Sequence, residues 1–409
     1  MTGKMRKPKV TVKPVALKKW RPYAIYGLLL IAVAWLVGSR LGSLTHGYAS
    51  DELSTFQASV SLHNIYLNPL NAPLFLLVHV LLYIRPHSLY MVRVAAALLG
   101  VLTIAIFYRL VDYWHGRRSA LFGTVIFATS AWFLHTARLG TPNVLYFGLL
   151  GLIGCSVWFK HSRRSLPVVL LIILSAILLY VPGMIWFIIA GVIWQWKTID
   201  RVFQKHLWMV TLGGFLLLGV LTPLGLAIRR TPSLAKVMIG LPQNGWPNPL
   251  SVFHRIVDVP VRFFLSGPFS PERWLGHLPI LDALSAAMVF LGVYVYLKHL
   301  PLVRAQLLGV ILVIGTVIIG LGGQTSITVL VPIVYILAAA GIGLLLDRWY
   351  TVFPRNPIAQ AIGIGMASLA VLTSVWYGYQ HYFVAWPNSP ETKPIFDVTA
   401  LPPSDTIKR

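Results

Sequence analysis

The sequence predicts an all-α, polytopic membrane protein of about 11 transmembrane helices, with interfacial helices in its first extracytoplasmic loop. Three observations predict it. Of 409 residues, 57% are hydrophobic and 11% charged, whereas soluble domains carry about 25% charged residues. Apolar runs of roughly 17–25 residues, long enough to cross a bilayer as helices, recur along the whole chain. The basic residues collect in the N-terminal tail and in alternate short loops, as expected when Lys and Arg stay on the cytoplasmic side.

The same charge distribution argues against nucleic acid as a partner. The net charge of +23 is explained by loop sidedness, and the basic tail suits anionic lipid headgroups. The single cysteine, Cys155, lies in an apolar run, so no disulfide forms within one chain. The first apolar run ends at "LVGSRLGS", without a small-x-small cleavage site.

Taken in order, residues 1–21 form a basic cytoplasmic tail and 22–39 the first helix, which exits. Later helices are expected near 89–110, 119–136, 143–159, 166–181, 183–196, 207–228, 279–297, 305–322, 326–346 and 358–377. The loops "YRLVDYWHGRRSA", "KHSRRS", "KTIDRVFQKH", "KHLPLVR" and "DRWYTVFPRNP" then all fall inside. Residues 22–377 make one transmembrane domain, and 378–409 an extracytoplasmic tail. The plasma membrane is the expected location, with the N-terminus cytoplasmic and the C-terminus outside. The run "NAPLFLLVHVLLYI", 71–84, is short for a span. If it crossed, every later basic loop would change sides. It is expected to lie on the outer face, with Pro73 at its start.

Two extracytoplasmic segments are long, about 40–88 and 229–278, and long ordered loops tend to carry function. The first holds "HGYASDELSTFQ", where Asp51 and Glu52 stand side by side in a chain with 11 acidic residues. One reading is helix capping by Ser50 or Asp51, with the acids favoured by the helix dipole. The other is catalysis: a carboxylate at the membrane surface takes a proton from an acceptor hydroxyl. Cations would then stabilise a departing phosphate. Arg93, Arg138, Arg255 and Arg262 fall on that side, although an Arg at a helix end can simply snorkel to headgroups. His46, His63, His135, His254 and His277 fall there too. His46 or His63 with Asp51 and Glu52 could hold a divalent metal ion. No tight ligand spacing supports this, and ordinary interfacial histidines are the plainer reading.

The order of these elements resembles a known superfamily. After the first helix come the acidic pair, then Asn71-Ala72-Pro73-Leu74, "RVAAALLG" at 93–100, a basic loop, and Arg138-Leu139-Gly140. Late in the chain comes "TVLVPIVYILAAAGIGLLLDRW". The pattern is similar to the GT-C membrane glycosyltransferases, which include protein O-mannosyltransferases and bacterial aminoarabinose transferases. It covers 22–160 well and 205–380 loosely. The resemblance implies a polyprenyl-phosphate-linked sugar donor, an extracytoplasmic active site and inversion at the anomeric carbon. It matches Asp51 to the catalytic acid, Glu52 to its neighbour, and Arg93 and Arg138 to basic motif positions. The acceptor, whether glycan, lipid or protein, is not specified.

Three departures stand out. Asn71-Ala72 replaces the usual Lys-Pro, Thr141-Pro142-Asn143 lacks an acid often found after "R-x-G", and "GGQTSIT" lacks a basic residue. Donor phosphate binding then falls more on the second loop, or the chain is an inactive relative. A transporter or flippase of lipid-linked saccharides is the rival class. Charged residues lining a mid-span path would mark it. Here Asp112, Asp200 and Asp347 fall in cytoplasmic loops and Asp282 near an outer helix end.

Overall fold

A computed structural model describes residues 17–45, 47–161, 166–205, 207–243 and 245–396. Its regular structure is helical, with no strand among the described residues. A lipid-immersed backbone needs this, because a helix satisfies its N–H and C=O groups internally.

In chain order the helices are α1 (Leu17–Gly38), α2 (Ser50–Ser59), α3 (Leu62–Leu67), α4 (Ala72–Ile84), α5 (Tyr90–His115), α6 (Arg117–Thr129) and α7 (Ala131–Arg138). A short 3-10 segment, Pro142–Phe147, leads into α8 (Gly148–His161). There follow α9 (Leu166–Leu178), α10 (Met184–Trp194), α11 (Trp196–Lys205), α12 (Leu207–Arg230) and α13 (Ser233–Met238). The chain continues through α14 (Pro249–Phe264), α15 (Ala283–Lys298), α16 (Val303–Gly320), α17 (Val331–Val352) and α18 (Pro357–Tyr379).

Every predicted crossing coincides with a helix. Among the described residues six helices are long and apolar enough to cross a membrane, or seven if α6 and α7, bent by 63° at Ser130, form one broken span. The other four positions hold the shorter apolar helices α1, α9, α10 and α15. The chain is therefore a multi-pass helical membrane protein, and helix length alone accounts for six or seven of the expected 11 spans.

The core is built around α17. Of its most hydrophobic stretch, 89% is buried, against 11% for α12 at the periphery. Small residues allow the close approach: a Cβ at Gly292 would collide with the backbone of Leu337, and one at Gly341 with that of Met288. Such contacts suit α15 and α17 to dense packing where lipid supplies no hydrophobic drive for association.

The tail expected at 378–409 is different in its described part. The helix α18 runs on through a π-helical turn, Gln380–Ala385, into Trp386–Asn388. Tyr382, Phe383, Trp386 and Phe396 are buried. The boundary expected at 377/378 thus falls inside a continuous packed helix, because its aromatic residues have a core to fill. Residues 397–409 and the tail before Leu17 lie outside the described residues.

Candidate functional site

The acidic pair sits in the first turn of α2, where partial positive charge from unpaired N–H groups favours carboxylates. The N-cap is Ala49, not Ser50 or Asp51. Glu52 reaches back to accept from the Ala49 N–H at 3.1 Å. Successive residues on a helix point about 100° apart, so the two acids part company.

Glu52 turns inward and is 0% exposed. Arg93, 2% exposed, donates to it twice at 2.7 Å, from Nε to Oε1 and from Nη2 to Oε2. The Gly140 N–H adds a fourth hydrogen bond at 3.1 Å. The remaining donors of Arg93 are also engaged, by the Leu41 and Gly47 carbonyls and the Thr45 hydroxyl, while its plane lies over the Tyr48 ring. This closed network ties α2, the loop after α1, α5 and the loop after α7 together.

Arg138 has a comparable task. It is 2% exposed and donates to the carbonyls of Leu36, Val37 and Ser39 at 2.6–2.7 Å, and to the Tyr382 hydroxyl at 3.2 Å. Those carbonyls cluster at the C-terminus of α1, where backbone acceptors lack intrahelical partners and a cation is favoured. The sequence reading gave Glu52 a catalytic place and Arg93 and Arg138 a phosphate. In the structure their polar groups are directed at protein partners.

Asp51 points the other way. It is 37% exposed and its carboxylate pairs with Arg273 of the second long loop. Arg273 lines a polar cavity of about 410 Å³ together with Arg255 and Arg262. Arg255, Asp258 and Arg262 recur at i, i+3 and i+7 on α14, so they share one face. Arg262 is paired with Asp258 at 2.6 Å. Arg255 forms no ion pair among the described residues; its guanidinium lies against Gly322. That glycine has φ +76°, and any Cβ there would overlap the guanidinium.

The remaining wall is neutral. His135, Thr136, Thr141 and Asn143 face it, with Gln324 to Thr328 closing the end. Thr141, Asn143 and the "GGQTSIT" stretch, noted as departures in the sequence, are thus cavity wall. The floor is aromatic: Trp132 and Trp274 lie 5.0 Å apart, and Trp274 packs 4.6 Å from His381. The Trp386 indole N–H donates to the Pro271 carbonyl at 3.0 Å, so the C-terminal helix holds the Arg273 loop in place.

Two residues that matter here carried no signal in the sequence. Arg273 was one basic residue in an Arg-rich loop, and its partner Asp51 is 222 positions away. His381 was hidden in an aromatic run. Of the other candidates, His63 is exposed on α3 and His46 lies outside the described residues. No group of three or more His, Cys, Asp or Glu gathers as a metal site among the described residues.

A second cavity, of about 1,110 Å³ and largely apolar, runs between α4, α5, α8 and α9. Asn143 lines the polar cavity, while Val144 and Leu145 line the apolar one, so the two adjoin along a single 3-10 segment.

No known protein-family profile matches the chain, and no curated protein sequence matches it. Solved structures do. The crystal structure of ArnT from Cupriavidus metallidurans bound to undecaprenyl phosphate aligns with a TM-score of 0.53 at 15% identity, covering 90% of this chain and 76% of that one. The same enzyme in the apo state aligns with a TM-score of 0.56 at 15% identity, over 93% and 78%. The chain shares the overall fold of these ArnT structures.

Proposed function

We propose that this protein is a glycosyltransferase that moves a sugar from a polyprenyl-phosphate donor to an extracytoplasmic acceptor, with inversion. The observation that carries the proposal is the juxtaposition of Asp51 with Arg273 at the edge of a cavity holding Arg255 and Arg262. A carboxylate that takes a proton and guanidiniums that hold a phosphate are the two parts such a transfer needs. The arginines of the second loop also supply the cations missing from Asn71-Ala72. The apolar cavity next door suits a prenyl chain, and a lipid of this class is bound in the structural neighbour. A volume of about 410 Å³ is near the lower end of ligand pockets, about 300–1,000 Å³. That suits one sugar phosphate better than a preassembled oligosaccharide awaiting a flippase.

In the proposed step the acceptor oxygen attacks the anomeric carbon from the face opposite the phosphate. The bond from that carbon to the phosphate oxygen breaks, and polyprenyl phosphate leaves with the electron pair. The acceptor proton passes to Asp51. Arriving donor phosphate competes with Asp51 for Arg273, which would free the carboxylate when it is needed. Arg93, Glu52 and Arg138 position α2 and the end of α1. By the sidedness of the basic loops, the cavity opens outside, the N-terminus is cytoplasmic and the C-terminus extracytoplasmic.

Asp51→Asn tests this. Asn keeps the size of the side chain, and no capping bond is lost because the N-cap is Ala49. Release of polyprenyl phosphate from a glycosylated donor should fall about 100- to 10,000-fold, with lipid binding retained. An unchanged rate would exclude Asp51 as the base.

A further inference from the structure

The polar cavity contains no Asp or Glu among its described lining residues. Three guanidiniums reach it, and two carboxylates, Asp51 and Asp258, each pair with one of them, which leaves the local balance at +1 (3 − 2). A cleft with one sign of charge and low-dielectric walls focuses its field on whatever enters.

The neutral wall has a feature that points to a ligand. His135 is 3% exposed and lines the cavity, yet neither of its ring nitrogens has a hydrogen-bond partner. Aromatic rings surround it: Tyr382 at 4.6 Å, Trp386 at 4.5 Å, Trp274 at 5.6 Å and His381 at 6.3 Å between ring centroids. Buried polar groups are nearly always paired, and this unpaired one belongs to a residue that lines the cavity. A hydroxyl can both donate to and accept from an imidazole. An ammonium group beside His135 would find no carboxylate among the lining residues to neutralise it.

Resting on the donor reading above, we infer that the cavity selects an uncharged, polyhydroxylated sugar, hydrogen-bonded by His135, and rejects a sugar that carries an ammonium group. The phosphate lies toward Arg255, Arg262 and Arg273. The sugar lies toward His135.

The test uses the full-length protein in lipid nanodiscs and four competitors for a labelled polyprenyl phosphate. They are unlabelled polyprenyl phosphate and polyprenyl-phosphate-linked glucose, glucosamine and N-acetylglucosamine, compared below the pKa of the free amine. Glucose should bind more tightly than the bare lipid. Glucosamine should bind about tenfold more weakly than glucose, the scale of one unfavourable charge contact in a partly solvated site. Acetylation, which removes the charge and adds bulk, should recover affinity. His135→Phe should erase the advantage of glucose over bare lipid, about two- to tenfold for one neutral hydrogen bond, and His135→Gln should keep part of it. Glucosamine binding as tightly as glucose would overturn the inference, as would His135→Phe weakening bare and glycosylated lipid alike. If His135→Phe does not fold, the comparison of donors on the unaltered protein decides. Failure of every polyprenyl phosphate to bind would overturn the donor reading and this inference with it. Binding of bare lipid with preference for the amino sugar would overturn this inference alone.

Discussion

Glu52→Gln separates the two acids most sharply. The Glu52 carboxylate accepts four hydrogen bonds, two from Arg93 at 2.7 Å and one each from the N–H groups of Ala49 and Gly140 at 3.1 Å. Both partners of the ion pair are almost wholly buried, at 0% and 2% exposure. A glutamine fits the space, but both of its terminal atoms would face donors. In either orientation its NH2 meets Arg93 together with a backbone N–H, and Arg93 is left charged without a counter-ion. Breaking a buried pair from one side costs about 3–5 kcal/mol, against a total stability of about 5–15 kcal/mol. Asp51→Asn disrupts a pair whose side chains are 40% and 37% exposed, and such pairs contribute about 0–1 kcal/mol. Thermal unfolding of the purified proteins in one detergent, followed by size-exclusion monodispersity, gives the comparison. Glu52→Gln should lower the transition strongly and Asp51→Asn hardly at all. A Glu52→Gln variant with unaltered stability and lost sugar transfer would refute the buried-pair argument and make Glu52 catalytic.

Other outcomes follow from the same geometry. Arg138→Leu removes three charge-assisted bonds to the end of α1, each worth about 1.5–3 kcal/mol when made to a charged group; the yield of monodisperse protein should collapse. Gly322→Ala should leave the fold standing but weaken binding of polyprenyl phosphate, measured by lipid competition, because φ +76° and the Arg255 guanidinium both oppose a Cβ. Single cysteines at Thr351 and Ser389, in a Cys155→Ser background, should label from opposite sides of the membrane with an impermeant reagent.

The fold class was legible because lipid imposes it: long apolar runs must be helices, and basic loops must alternate. The acidic pair was legible as a site because carboxylates are scarce in this chain. Their division of labour was not. Asp51 and Glu52 are adjacent in sequence, and only the rotation of α2 sends one to Arg93 and the other to Arg273. Arg93 and Arg138 looked like phosphate contacts from their predicted side of the membrane. Their acceptors are carbonyls about 50 and 100 positions away, and sequence periodicity says nothing of partners that far apart. Arg255 and Arg262 were legible from an Arg-rich loop, and their spacing of seven puts them on one helical face. The C-terminal segment read as a tail because it is mostly polar near its end, and the wall its aromatic residues pack on comes from distant loops.

The most direct test is a structure of the protein with bound polyprenyl phosphate. The account predicts the phosphate within hydrogen-bonding distance of Arg273 and at least one of Arg255 and Arg262, with Asp51 released from Arg273 and the prenyl chain along the apolar cavity between α5 and α8. A phosphate held anywhere else, with Asp51 still paired to Arg273, would contradict it.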